Sequence, residues 1–122
     1  MMEIGLRIYE ANGAKIVEAN GDIELHNAPR LREELKAICE IKHVCCVIDM
    51  SKVPFIDSTG VGVLVGALKR AREHGGTLTL ACPQPRVRRV FEITGLLKAL
   101  PIFDSLDEAT GACRLDYTKS NA

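Results

Sequence analysis

At 122 residues the chain has room for one domain and one core. Hydrophobic residues make up 47% and charged residues 26%, the balance of a folded globular chain and not of a disordered one. Sixteen basic residues offset sixteen acidic ones, and two tyrosines and three phenylalanines are the only aromatics. Neither a basic field for nucleic acid or membrane nor a base-stacking platform is expected.

The N-terminal segment MMEIGLRIYEANG lacks the basic start and apolar stretch of a secretory signal. The apolar run 61–68 is too short to span a bilayer, so a cytosolic location is expected. Residues 4–10 and 15–19 alternate apolar and polar side chains around Ala11-Asn12-Gly13 and predict a hairpin. Asn27 offers an N-cap and Pro29 suits a first turn. Leu31, Leu35 and Ile38 then give a helix over about 28–40.

Residues 43–49 (HVCCVID) form a short, nearly continuous apolar run that predicts a strand buried on both faces. Residues 50–57 read as a connection. Ser58 opens a second helix with Val61, Leu64, Val65, Leu68 and Ala71 on one face, closed near Gly75. A strand at 77–82 follows. Pro83 and Pro85 break the chain, and Val87, Val90, Phe91 and Thr94 mark a third helix ending near Gly95. Ile102 and Phe103 suggest a last strand. Ser105 and Glu108 have the spacing of a capping box for a weak final helix, which Gly111 is expected to interrupt. Residues 117–122 read as a disordered tail beyond a domain at 1–116. The order β-β-α-β-α-β-α-β-α predicts an α/β fold with parallel strands and right-handed crossovers.

Five cysteines stand at 39, 45, 46, 82 and 113. An odd count without a secretory signal argues against a disulfide framework. Cys45 and Cys46 are strand neighbours that point to opposite faces, which argues against a shared metal with Cys39 and His43. Buried thiols are expected, with no metal and no cofactor.

The segment from Asp49 to Gly62 carries the chemistry. A buried strand ends, a short excursion contains Pro54, and a helix begins at a serine. First-turn amides and the helix dipole would receive a phosphate on Ser58. Gly60 and Gly62 are poor helix formers, and their lack of side chains would let another protein approach the hydroxyl. Serine is also a common N-cap, and glycines at a helix start also serve close packing, so spacing alone leaves both readings open.

Residues 55–64 (FIDSTGVGVL) resemble the signature of STAS-domain anti-sigma factor antagonists, hydrophobic-D-S-[ST]-G-[LV]-G. Residues 20–35 (NGDIELHNAPRLREEL), 71–80 (AREHGGTLTL) and 87–97 (VRRVFEITGLL) resemble further stretches of the same family in the same order. The resemblance spans about 4–109. It implies a STAS fold: a mixed, mostly parallel sheet with about four helices packed against it.

The resemblance also implies that Ser58 is a phosphoacceptor, with Thr59 the less favoured hydroxyl. The partner would be an anti-sigma factor that doubles as a serine kinase of the GHKL type, and a serine phosphatase would reset the cycle. The protein itself would have no catalytic residues and would be a monomer or weak dimer. The partner surface is expected from Asp22, Glu24, Leu25, His26 and Asn27 beside Asp57, Thr59, Gly60, Val61 and Gly62, with Leu25 and Val61 as its apolar centre. Arg86, Arg88 and Arg89 read as a solvated face of the third helix. Two other readings are a STAS scaffold or ligand-binding subunit of a stress-signalling or transport complex, and a small serine hydrolase. For the hydrolase, His26 is the only histidine placed to approach Ser58, and no acid is identified to orient it.

Overall fold

The computed structural model describes residues 3–121, with side chains described as far as Cys113. Two strands open the chain, β1 (Gly5–Ala11) and β2 (Ala14–Asn20), paired antiparallel with Ala11 opposite Ala14. The loop is therefore only Asn12-Gly13. Both residues take positive φ, 53° and 81°, as a type I′ turn requires, and asparagine and glycine tolerate that conformation best.

Helix α1 (Ala28–Cys39) follows, then β3 (Cys45–Lys52), α2 (Ser58–Glu73), β4 (Thr77–Ala81), α3 (Pro85–Ile93), a 3-10 turn (Leu96–Lys98), β5 (Ile102–Phe103) and α4 (Leu106–Asn121). The five strands lie in the order β1-β2-β3-β4-β5, with every neighbour after the first pair parallel. The mostly parallel α/β sheet expected from the alternating elements is the one found.

Strand alternation divides the core in two. Val17, Ala19, Cys46, Ile48, Met50, Leu78 and Leu80 face α1, α2 and α3, where Leu31, Leu35, Leu64, Val87 and Phe91 meet them. Ile16, Cys45, Val47 and Ala81 face the other way, onto Ala109 and Cys113 of α4. β3 is thus buried on both sides, as its unbroken apolar run predicts.

Several boundaries differ from the sequence expectation. β3 starts at Cys45 because His43 has a left-handed φ of 61°, which no strand residue adopts. It runs on to Lys52, since Met50 is buried and Lys52 pairs with Asn20 past a register shift. Pro85 begins α3 rather than only breaking the chain, at the position where its missing N–H costs nothing. Ser105 supplies its half of the expected capping box: its Oγ accepts from Glu108 N at 3.1 Å and donates to the Glu108 carboxylate at 3.1 Å. Gly111 does not interrupt α4, which continues to Asn121 through part of the segment read as a tail.

The cysteines need one correction. Cys45 and Cys113 are paired as a disulfide between β3 and α4, with Cα atoms 5.5 Å apart. The two lie 68 residues apart in sequence, so their meeting depends on α4 covering that face of the sheet. On the opposite face Cys46 approaches Cys39 of α1. The hydrogen bond they share and then burial push the Cys46 thiol well above the ordinary cysteine value. Among the described residues no group of three or more His, Cys, Asp or Glu is arranged to hold a metal, and no helix is long and apolar enough to cross a membrane.

Candidate functional site

Ser58 is the first residue of α2 and is exposed. The cap is not the serine but Asp57, an extended residue whose Oδ1 accepts from Gly60 N at 2.9 Å. Its second oxygen, Oδ2, accepts from Leu25 N at 3.0 Å. Capping by Asp57 frees the neighbouring hydroxyl, and among the described residues nothing hydrogen-bonds Ser58 Oγ. Asp57 takes the Gly60 and Val61 amides, which leaves the Ser58 and Thr59 amides at the positive end of the helix dipole near this hydroxyl. Thr59, next along, is half-buried.

The loop 22–27 lies against the entry to α2. Gly21 N donates to Lys52 O, Ile23 N to Phe55 O and Asp57 N to Ile23 O, and an isolated parallel bridge joins Ile23 to Ile56. These bonds continue the β2–β3 pairing beyond the strand ends. Asn27 stands at the N-cap of α1 as expected, but its side chain makes no capping hydrogen bond to the helix. Its side chain braces the loop instead, accepting from Glu24 N at 2.9 Å and donating to Asp22 O at 2.6 Å. Glu24 Oε2 accepts from His26 N at 3.1 Å and lies 2.9 Å from His26 Nδ1. These bonds, the backbone one foremost, hold the Glu24 carboxyl below the ordinary glutamate value.

The expected partner residues divide accordingly. Leu25 is 61% exposed, His26 is exposed, and Asp22, Glu24, Asn27 and Asp57 are partly exposed. Gly62 is exposed with open space where a Cβ would stand. Val61 is 5% exposed and packs into the core, so it does not form the apolar centre with Leu25. Gly60 is also buried. A Cβ there would sit 2.7 Å from Ile23 Cγ2 and 2.8 Å from Ile56 Cγ1, so its lack of a side chain lets α2 close onto the loop rather than admitting a visitor.

Sequence reasoning did not single out Phe55, which is 41% exposed, stands three residues before Ser58 and receives Ile23 N–H from the loop at its carbonyl. An aromatic directly after Pro54, in a chain with only three phenylalanines, is the signal that could have found it. An open hollow of about 700 Å³ borders the loop, and Glu3, Asp22 and Glu24 make its lining acidic.

The hydrolase reading finds an acid for His26 in Glu24, but among the described residues no hydrogen bond links that pair to Ser58. The ring of His74 lies 2.9 Å from Arg70 O, at the far end of α2. On α3, Arg88 pairs with Asp104 at 3.0 Å and with Glu92 at 3.8 Å, within a solvated face.

An exposed serine thus stands at the start of α2, beside a loop bonded to the cap of the same helix. Residues 6–109 match the STAS domain family, and the chain belongs to it. It is 34% identical over 111 residues to an anti-sigma-B factor antagonist of Listeria monocytogenes, covering 90% of this chain and 97% of that one. It is 35% identical over 101 residues to the anti-sigma-B factor antagonist of Bacillus subtilis, covering 83% and 92%. A crystal structure of an anti-sigma factor antagonist from Mycobacterium paratuberculosis superposes with a TM-score of 0.81 at 28% identity, over 91% of this chain and 94% of that one.

Proposed function

We propose that this protein is an anti-sigma factor antagonist of the bacterial cytoplasm, switched by phosphorylation of Ser58. The observation that carries the reading is the free, exposed Ser58 hydroxyl at the first position of α2. It stands in a D-S-T-G motif, within a chain similar over most of its length to anti-sigma-B factor antagonists.

Unmodified, the protein binds its anti-sigma factor through the Ser58 end of α2, Leu25, Phe55 and the polar loop 22–27, and the sigma factor is released. The anti-sigma factor, a GHKL-type serine kinase, transfers the γ-phosphate of ATP to Ser58 Oγ. ADP leaves, and the hydroxyl proton passes to a base of the kinase. A serine phosphatase returns the hydroxyl by hydrolysis. The protein supplies a surface and an acceptor oxygen, and no catalytic group.

The switch needs no refolding. Phosphate adds a charge of about −1.5 to −2 at neutral pH. The first-turn amides accommodate it in the free protein. In the complex it must shed water near Asp57, Asp22 and Glu24, and a poorly paired charge in an interface costs about 2–5 kcal/mol.

Incubation with the anti-sigma factor kinase of the same organism and ATP, followed by mass spectrometric location of the phosphate, tests the acceptor. The expected result is one phosphate, on Ser58, and none on a Ser58→Ala protein. Full phosphorylation of Ser58→Ala would overturn the assignment.

A further inference from the structure

A second recognition surface lies farther along α2. Ser58, Gly62, Val65, Lys69 and Arg72 are spaced i, i+4, i+7, i+11 and i+14, one line along the solvent side of a 3.6-residue helix. Arg72 is 14 residues from Ser58, roughly 21 Å at 1.5 Å per residue, so this end lies well beyond the phosphoacceptor.

Here α2 and the end of the 3-10 turn Leu96–Lys98 enclose an open groove of about 560 Å³. Its floor is apolar, made by Val65, Leu68 and Ala99, and Lys69, Arg72 and Lys98 stand around it. Among the described residues none of these three cations has an acidic partner within ion-pair distance. Glu73 is the one acid lining the groove. Arg70 and Arg88, by contrast, are both paired with carboxylates. In a chain of zero formal net charge, a group of unpaired cations around an apolar floor is a local concentration of positive potential.

We infer that this groove docks an acidic, amphipathic segment of a protein partner, with apolar side chains on Val65 and Ala99 and carboxylates on Lys69, Arg72 and Lys98. The chemistry favours protein over nucleic acid: the floor is aliphatic and the groove offers no aromatic ring for a base to stack on. Apolar contact with flanking charge is how a groove reads an amphipathic helix, and the exposed cations would steer an acidic partner toward it.

The test uses the full chain, labelled with ¹⁵N, and a synthetic helical peptide with leucines at i, i+3, i+4 and i+7 flanked by glutamates. A counterpart with lysine for every glutamate serves as control. The inference predicts amide shifts from the acidic peptide at Val65, Lys69, Arg72 and Lys98, and weaker binding as salt rises. It predicts about tenfold loss of affinity in Lys69→Glu/Arg72→Glu, corresponding to about 1.4 kcal/mol. A Lys98→Gln protein, changed outside α2, should bind more weakly as well and guards against a folding defect in the double variant. Equal binding of the two peptides, shifts located elsewhere, or no binding at millimolar peptide would overturn it. Because the probe is not the anti-sigma factor, the outcome does not depend on the function proposed for Ser58.

Discussion

The Asp57 carboxylate divides its oxygens between two backbone amides, Gly60 N–H within its own helix and Leu25 N–H across the loop. Loss of an N-cap costs about 0.5–2 kcal/mol, and here the loop tie goes with it. Asp57→Ala should therefore lower the thermal midpoint and loosen 22–27, read as faster amide exchange at Leu25. An unchanged exchange rate at Leu25 would deny the second role. The two glycines of the motif make opposite predictions. Gly60→Ala drives a methyl group into Ile23 and Ile56, and overpacking of this kind costs about 1–3 kcal/mol. Gly62→Ala meets nothing and should stabilise the helix by roughly 0.8–1 kcal/mol. Denaturant unfolding of both proteins checks the pair, and equal midpoints would contradict the packing described. The sequence showed these glycines to be unusual in a helix. It could not show which one faces inward, because both are bare of side chains and only the neighbours distinguish them.

Between elements, ion pairs tie β2 to its two neighbours. Glu18 of β2 receives Lys52 Nζ of β3 at 3.0 Å and lies 3.4 Å from Arg7 Nη1 of β1. The Lys52 hydrogen bond foremost, against a smaller opposing effect of burial, holds the Glu18 carboxyl below the ordinary value of 4.5. A carboxyl with a lowered folded pKa contributes stability that is complete above its unfolded value and fades as pH falls through the folded one. Thermal midpoints should therefore fall on acidification below pH 4.5, and less steeply in Glu18→Gln. Identical pH profiles for the two proteins would contradict this. Elements themselves were largely legible, because β3 carries an apolar run and α2 an apolar stripe. The junction of loop 22–27 with 53–57 was not readable from side-chain patterns. It is made by backbone bonds such as Ile23 N to Phe55 O, which leave no mark on residue type. The Cys45–Cys113 pair was hidden for a related reason: 68 residues separate its members, and only the placement of α4 brings them together.

At the scale of the whole molecule, the sheet holds α1, α2 and α3 on one face and α4 on the other, and so fixes the start of α2 at the surface beside the end of β3. The fold was readable because strand and helix periods alternate regularly and the motif stretches occur in a fixed order. The position of Ser58 at the start of α2 was readable, because helix period and motif coincide there. Val61 was misread as surface, since its apolar side chain belongs to the core stripe. The switch proposed for Ser58 requires a surface that is rigid before modification, and the Asp57 and Asn27 bonds hold the loop 22–27 in place. Calorimetric titration of the anti-sigma factor with unmodified protein, and then with protein phosphorylated on Ser58, tests this most directly. The account predicts that the phosphorylated form binds roughly 30- to 5,000-fold more weakly, while its circular dichroism and thermal unfolding remain those of a folded protein. Equal affinities of the two forms would contradict it.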